Sequence, residues 1–255
     1  MQKYFEFLFL KIGFSFIFCN VCGGIHKIKI RSANLREEGS CKRCRSNSRK
    51  RHLAAIILDA IKSPRRFSSL REIPSNTRVK IYNVESNGAL HSYLKHINGY
   101  ICSEYFGSYE EIGKEKNGIL NVDLQQIPFA DNLFDFVVST EVFEHIPNPY
   151  IAFKELHRIL KPGGSHIFTV PYNYNGNTDE IKAVLNEKNE IIHLTKPEYH
   201  GDPIRGEGIL VYTIFSKEMI SKLEAMNFKV TLNHQRSLKY GILGDENIVF
   251  TATKL

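Results

Sequence analysis

The sequence predicts an α/β protein with a doubly wound, mostly parallel sheet and a small cysteine-rich module near the N-terminus. From Val79 onward, short β-rich runs alternate with helical runs, as in a parallel sheet covered on both faces. Upstream of that pattern, Cys19-x-x-Cys22 and Cys41-x-x-Cys44 are separated by 18 residues, a spacing typical of a two-knuckle zinc site. These two observations predict the fold class.

Composition and length divide the chain further. Its 255 residues, 42% hydrophobic and 24% charged, suit one larger α/β domain with a small appendage. Residues 64–77 are rich in Pro, Ser and Arg, which favours a linker. We therefore predict an N-terminal module over 1–63, a linker over 64–78 and the α/β domain over 79–255, with an insert over about 172–212.

The apolar stretch Tyr4–Phe18 predicts a helix at the start of the N-terminal module. Its Phe-rich face is expected to pack on the body or on a partner, and it is a candidate homo-oligomer interface; contact with a membrane surface is the alternative. Glu6 and Lys11 interrupt the stretch, which is too short and too charged to span a bilayer, and no cleavage site follows it. We therefore predict no transmembrane segment and a cytoplasmic protein.

Positive charge is concentrated in the first part of the chain. Residues 1–72 carry 16 Lys and Arg against 5 Asp and Glu, whereas the remaining residues carry 18 against 22. Such a concentration indicates either an anionic partner or only a solvated basic face, and both interpretations stay open.

The four paired cysteines, Cys19, Cys22, Cys41 and Cys44, predict a structural zinc ion. Each CxxC turn directs two thiolates at one tetrahedral ion, and Gly23 and Gly24 suit the tight turn after the first pair. Two disulfides or a redox dithiol are the alternatives; a redox CxxC normally opens a helix in a thioredoxin-like unit. Cysteines in a metal-type pattern also agree with a cytoplasmic location.

A basic run follows the second cysteine pair and leads into a helical pattern over Leu53–Ile61. Arg49, Lys50 and Arg51 stand at its centre. Such a flank is able to grip nucleic-acid phosphates, but a zinc module often only stabilises a small domain that lacks a core of its own. Both roles remain open.

Polar residues follow the strands of the predicted α/β domain, where a parallel sheet binds its ligands. An acidic residue after the second strand is suited to the two hydroxyls of a ribose, and a glycine after the first lets the backbone approach a ligand. The candidate binding residues are Glu85 and Gly88 after the first strand, Glu104 after the second, Asp123 and Leu124 after the third, and Thr140 and Glu141 after the fourth.

One dense stretch resembles a known family. The segment from Asp123 to Pro149, containing DLQQIPFADNLFDFVVSTEVFEHIPNP, and the segment Phe153–Gly164, containing FKELHRILKPGG, resemble the central part of class I S-adenosylmethionine-dependent methyltransferases of type 11. Ser46–Arg51 and Gly99–Phe106 resemble a subgroup that carries an N-terminal CxxC pair. The resemblance implies a Rossmann-like sheet of seven strands with the last antiparallel, S-adenosylmethionine as cofactor and methyl transfer to an oxygen or nitrogen nucleophile.

The long polar insert is where the acceptor is expected to bind. His200 is a candidate general base, with Asp202 as its orienting partner; an exposed loop histidine without a role is the alternative. A glycan or small molecule is the favoured acceptor, with RNA also a candidate.

Two functions therefore follow from the sequence. The first is a methyltransferase. The second is a catalytically degenerate protein of the same fold, which binds nucleic acid or a partner through the zinc module and its basic flank. The second follows because Asn83–Gly88 replaces the usual Gly-x-Gly-x-Gly turn of this family.

Overall fold

A computed structural model of the chain describes residues 14–61, 63, 65–107, 111–201 and 208–255. The α-helices in these residues are α1 (Ser48–Ala60), α2 (Gly88–Leu94), α3 (Pro149–Ile159) and α4 (Lys217–Ala225), and short 3-10 helices cover Leu70–Glu72 and Phe143–His145. The strands are β1 (Phe14–Phe18), β2 (Ile25–Lys29), β3 (Ile81–Asn83), β4 (Tyr100–Glu104), β5 (Glu115–Lys116), β6 (Ile119–Asn121), β7 (Phe134–Thr140), β8 (Leu160–Thr169), β9 (Glu180–Ile181), β10 (Ala183–Leu185), β11 (Ile191–His193), β12 (Tyr199–His200), β13 (Ile209–Leu210), β14 (Thr213–Ile214), β15 (Phe228–Asn233) and β16 (Val249–Lys254).

The central element is a mostly parallel sheet of eight strands, β3 to β8 with β15 and β16. Parallel pairing joins β3 to β4, β4 to β6 and β7 to β8. The α/β prediction is confirmed. The sheet has one strand more than the predicted seven, because β5 pairs antiparallel with β6. Asn117 and Gly118 connect these two strands with positive φ at both positions, the backbone of a two-residue hairpin turn.

Contact clustering divides the chain into two compact units. Unit 1 comprises residues 1–102 and 232–251, and unit 2 comprises residues 103–231 and 252–255. Neither boundary coincides with the ends of the predicted linker, and the predicted domain limits stay a prediction. Within unit 1, the predicted linker contains a 3-10 helix whose Leu70 is buried and whose Leu70 N–H donates to the Asn20 carbonyl at 2.9 Å.

The N-terminal helix prediction is wrong for its last five residues. Phe14–Phe18 is strand β1, paired antiparallel with β2. The side chains alternate: Phe16 is 63% exposed, whereas Ile17 is 2% exposed. This two-residue period is that of a half-buried strand, and it overrides the general hydrophobicity that favoured a helix. Residues 1–13 lie outside the described residues.

The core of unit 2 is built by aromatic residues of the sheet and of the helix that packs on it. Helix α3 begins with Pro149 in its first turn, where the missing N–H is not needed, and buries Phe153 and Leu156. Phe153 stacks on Phe143 with ring centroids 4.2 Å apart. Since Phe143 belongs to the segment directly after β7, this stacking fixes the residues that follow that strand.

The predicted insert over about 172–212 is organised as short antiparallel pairs within unit 2. Strand β9 pairs with β14, β10 with β11, and β12 with β13. Ala183, Leu210 and Tyr212 form a small hydrophobic cluster under these strands. The described residues of the insert, 172–201 and 208–212, therefore form a folded part of the unit.

Among the helices described, none is both long enough and apolar enough to cross a membrane.

Candidate functional site

The four predicted zinc ligands come together in unit 1. The Sγ atoms of Cys19, Cys22, Cys41 and Cys44 all lie within 4.8 Å of one another. The Cys19–Cys44 distance is 3.6 Å and the Cys22–Cys41 distance is 3.8 Å between sulfur atoms. Four sulfurs about 2.3 Å from a tetrahedral zinc ion are separated by roughly 3.8 Å, so the cluster fits such an ion.

Two turns with the same hydrogen bonds present these thiols. The N–H of Gly23 donates to the Cys19 carbonyl at 2.8 Å, and the N–H of Arg45 donates to the Cys41 carbonyl at 2.8 Å. Gly23 has φ of +72° and Arg45 has φ of +60°. The glycine predicted for the first turn is thus needed there, whereas the second turn places an arginine in the left-handed region.

The close contact of the four thiols shifts pKa values within the cluster in opposite directions. Hydrogen bonds from Cys41 and Cys44 lower the pKa of the Cys19 thiol. Burial raises the pKa of Cys22 to about 12. The hydrogen bond between Cys44 and Cys19 raises the pKa of Cys44. Four thiolates cannot share this volume without a cation, because each would repel the others at low dielectric.

Two arginines of the basic flank are engaged by residues of unit 1. Arg51 is 0% exposed, and its guanidinium donates to the carbonyls of Gly39 at 2.8 Å, Gly241 at 2.9 Å and Ser46. Burial lowers its pKa to about 10. Arg49 forms a two-pronged ion pair with Glu37, with N–O distances of 2.7 and 3.0 Å. Lys50 is half-buried and Arg43 and Arg45 are exposed, and the binding of a polyanion by this flank stays a prediction.

Basic side chains do surround a surface cleft elsewhere on unit 1. The cleft is lined by Lys27, Lys29, Arg31, Glu37, Glu38, Ser40 and Lys42. The basic residues of this cleft lie on the β1–β2 hairpin, shortly after it and within the second cysteine pair. Phe14 and Phe16 of the same hairpin are 39% and 63% exposed; the homo-oligomer interface in this region stays a prediction.

The predicted cofactor residues fall in both units. Glu85 and Gly88 lie in unit 1, where the Asn83 side chain donates to the Glu85 carbonyl at 2.8 Å and Gly88 has φ of +82°. The other five lie in unit 2, and they are Glu104, Asp123, Leu124, Thr140 and Glu141.

In unit 2, Glu104 and Asp123 lie at the ends of two neighbouring strands. Glu104 pairs in register with Asn121, and its carbonyl accepts from the Val122 N–H at 2.9 Å. Adjacent strands are separated by about 4.8 Å, and Asp123 follows β6 by two residues, beyond the position that pairs with Glu104. The Asp123 carboxylate accepts from the Gln125 N–H at 2.8 Å, which fixes the turn.

The end of β7 contributes a buried hydroxyl and an unusual backbone. Thr140 is 6% exposed, and its Oγ1 has no hydrogen-bond partner among the described residues. Glu141 follows with φ of +55°, and its N–H donates to the Thr169 carbonyl at 3.0 Å. A glutamate in the left-handed region is uncommon and marks a constrained position of the kind found at functional sites.

A second polar cluster, formed by Glu144, His145 and His200, was not predicted as a unit. Glu144 Oε1 lies 3.6 Å from His145 Nε2 and 3.6 Å from His200 Nδ1. The exposed fractions of these side chains are 0% for Glu144, 11% for His145 and 33% for His200. Asp202, the predicted partner of His200, lies outside the described residues, and the carboxylate beside His200 Nδ1 is that of Glu144.

Local structure explains this arrangement. The 3-10 helix Phe143–His145 follows β7 and is anchored by the buried Phe143 ring, which turns Glu144 inward. The Glu144 carbonyl accepts from the Tyr212 N–H at 2.7 Å. The β12–β13 pair places His200 opposite Ile209, and the Leu210 carbonyl lies 2.9 Å from His145 Nδ1. One hairpin of the insert therefore positions both histidines.

Burial dominates the electrostatics of this cluster. It raises the pKa of Glu144 to about 7, and the nearby Glu144 carboxylate raises the pKa of His200. The Lys182 ammonium lowers the pKa of Glu198. Glu198 Oε1 in turn lies 3.5 Å from His200 Nε2. Both ring nitrogens of His200 thus face carboxylates.

Comparison with known proteins supports a methyltransferase-like segment. Residues 87–168 match the sequence family described as "Methyltransferase domain". A demethylmenaquinone methyltransferase of Staphylococcus aureus is 38% identical over 60 residues, which are 21% of this chain and 25% of that protein. The chain therefore spans about a quarter of the length of the curated relatives it matches.

Solved structures give weaker likenesses. An S-adenosylmethionine-dependent methyltransferase of Mesorhizobium loti is 12% identical, with 82% of this chain and 99% of that chain covered and a TM-score of 0.49. A methyltransferase of Methanosarcina mazei is 17% identical, with 72% and 94% covered and a TM-score of 0.41. The match to the sequence family described as "Methyltransferase domain" covers residues 87–168 of this α/β chain.

Proposed function

We propose that this protein is a methyltransferase that uses S-adenosylmethionine (EC class 2.1.1) and methylates an oxygen or nitrogen nucleophile of a glycan or small molecule. The observation that carries the proposal is the polar edge of the sheet in unit 2. There Glu104 and Asp123 end neighbouring strands and Thr140 carries an unpartnered buried hydroxyl, within the segment that matches the methyltransferase domain.

These residues fit the cofactor. S-adenosylmethionine, when bound, supplies a sulfonium methyl group that passes in line to a positioned nucleophile. We expect the Glu104 carboxylate, at the end of β4, to accept from both ribose hydroxyls, and Leu124, 8% exposed, to offer an apolar contact. Thr140 Oγ1 and the constrained Glu141 lie at the end of the next element of the segment, where the methionine part would bind. Glu85 and Gly88 stay predicted contacts from the sequence.

Calorimetric titration with S-adenosylmethionine tests this function. Charge-assisted hydrogen bonds contribute about 1.5–3 kcal/mol, so Glu104→Ala is expected to weaken binding roughly 10- to 100-fold. Glu115→Ala is the matched control, because that exposed carboxylate lies on the edge hairpin of the same unit. Equal affinities for the two variants, or no binding by folded wild-type protein, would overturn the proposal.

We further propose that the four-cysteine cluster binds a structural zinc ion. Its support is the sulfur spacing and the repeated turn geometry. The expected content is one zinc per chain at this site, lost together with the fold of the module in Cys41→Ser. A Cys41→Ser protein that keeps its zinc and its melting temperature would contradict this assignment.

Binding of a polyanion is the second candidate function, and the basic cleft of unit 1 favours it. If the chain binds RNA there, exchange of Lys27 and Lys29 for Gln should weaken binding and flatten its salt dependence. Unchanged RNA binding in the double variant, or loss of binding in Arg49→Gln instead, would rule out the cleft as the binding site.

The cytoplasmic location stays a prediction.

A further inference from the structure

The Glu144–His145–His200 cluster of unit 2 has no role in the cofactor site or in the four-cysteine site. Glu144 carries a fully buried carboxylate, and neither of its oxygens has a hydrogen-bond donor among the described residues. A buried carboxylate costs several kcal/mol unless a cation or a proton compensates it. The positive partner is either a protonated His200, whose Nδ1 lies 3.6 Å from Glu144 Oε1, or a metal ion.

The histidine tautomer indicates what that partner is. His145 Nδ1 lies 2.9 Å from the Leu210 carbonyl oxygen, an acceptor only, so the Nδ1–H donates there. The lone pair of His145 Nε2 then faces Glu144 Oε1 at 3.6 Å. His200 Nδ1 lies 3.6 Å from the same Glu144 oxygen, and the three ligand atoms, all within 4.8 Å of one another, have the spacing of ligands around a metal ion.

The outer contacts of both histidines agree with this interpretation. Histidine ligands usually direct their second nitrogen to a backbone carbonyl or a carboxylate, which fixes the ring and its tautomer. His145 uses the Leu210 carbonyl, and His200 has Glu198 Oε1 3.5 Å from its Nε2. Glu198 is itself held by Lys182, 3.1 Å away.

We propose that Glu144 Oε1, His145 Nε2 and His200 Nδ1 bind a divalent transition metal ion of the zinc class. Three donors about 2.1 Å from one ion lie roughly 3.4 Å apart in tetrahedral geometry and about 3.0 Å apart in octahedral geometry. The two observed distances of 3.6 Å favour the tetrahedral case. Two histidines and one glutamate leave a fourth position open, and the partly exposed His200 is the ligand nearest to solvent.

A metal ion at this site would act in the methyl transfer proposed above, and this catalytic role rests on that proposed function. The open position of a three-ligand metal site accepts an oxygen donor and lowers the pKa of a hydroxyl bound there. It would suit an acceptor hydroxyl of a glycan or small molecule. A general-base role for His200 is the competing assignment.

Metal analysis of the full-length protein after equilibration with excess Zn²⁺ and dialysis separates these assignments. We expect His200→Gln and Glu144→Gln each to contain one zinc equivalent fewer than wild type, while His193→Gln, which changes an exposed histidine of the same insert, matches wild type. In the Co²⁺-substituted protein, His200→Gln should bind less cobalt than wild type. Its thiolate-to-metal absorption, which reports on the cysteine site, should be the same as that of wild type. Circular dichroism identifies a variant that fails to fold. If Glu144→Gln does not fold, the zinc content of His200→Gln, which changes the most exposed of the three ligands, tests the metal site.

Equal zinc content in wild type and folded His200→Gln would overturn the metal site. If S-adenosylmethionine still binds wild type in that case, only this inference fails. If the extra zinc is present but the cofactor does not bind, the proposed function fails while the metal site stands.

Discussion

Replacement of Arg51 by methionine should destabilise the protein far more than the same replacement of Arg49 two residues earlier. Arg51 is fully buried and donates to three backbone carbonyls, of Gly39, Ser46 and Gly241. Methionine fills a similar volume but leaves the buried Gly39 and Gly241 carbonyls without this donor, whereas the Ser46 carbonyl keeps its bond from the Cys41 N–H at 2.9 Å. Each buried acceptor left unsatisfied costs about 1–3 kcal/mol, so we expect a loss of about 3–5 kcal/mol.

Arg49 provides the matched control. Its guanidinium pairs with Glu37, whose side chain is 36% exposed, and a pair at such an exposure contributes about 1 kcal/mol or less. For a chain of this size 1 kcal/mol corresponds to about 2–4 °C, so Arg51→Met should lower the melting temperature by roughly 6–20 °C and Arg49→Met by at most a few degrees. The assay is thermal unfolding of the zinc-loaded protein followed by circular dichroism. Similar melting temperatures for the two variants would refute the assignment of Arg51 as a buried structural cation.

Two further predictions concern single side chains. Asn47 caps α1 by accepting from the Lys50 N–H at 2.9 Å, so Asn47→Ala should lower the free energy of unfolding by about 1 kcal/mol in a urea titration, and Asn47→Ser, which keeps a capping oxygen, should lower it less. His166 is fully buried and its pKa is lowered to about 3 by burial, so the unfolded chain takes up a proton below pH 6.5 while the folded protein does not. Stability should therefore fall by about 1.4 kcal/mol per pH unit from pH 6.5 toward pH 3 because of this residue, and His166→Gln should reduce that slope.

Each of these two predictions has a control variant in the same chain. An Asn47→Ala loss that equals the loss in Asn47→Ser would mean that the cap bond contributes nothing and that Asn47 acts through its contact with Glu37. His193→Gln, at an exposed position, should leave the pH slope as in wild type. An unchanged slope in His166→Gln would show that another group controls acid sensitivity.

Local sequence patterns predicted the parts of the structure that depend on neighbouring residues. The alternation of β-rich and helical runs predicted the α/β sheet, and the CxxC spacing predicted a cysteine cluster that the structure brings together. The same kind of pattern failed at Phe14–Phe18, where pairing with β2 decides the conformation. At Arg51 the sequence left two roles open, because charge alone does not reveal which face of a helix a distant loop covers.

The Glu144 cluster shows where local reasoning ends. His145 and His200 lie 55 residues apart along the chain. The pairing of β12 with β13 brings His200 to Glu144 and His145. Glu144 and His145 belong to the segment that matches the methyltransferase domain, whereas His200 and Glu198 belong to the insert outside it. The proposed metal would thus join the part of the chain that carries the proposed cofactor residues to the part expected to contact the acceptor. If that assignment holds, acceptor choice depends on the insert, and exchange of the insert hairpin should change the acceptor without changing affinity for S-adenosylmethionine.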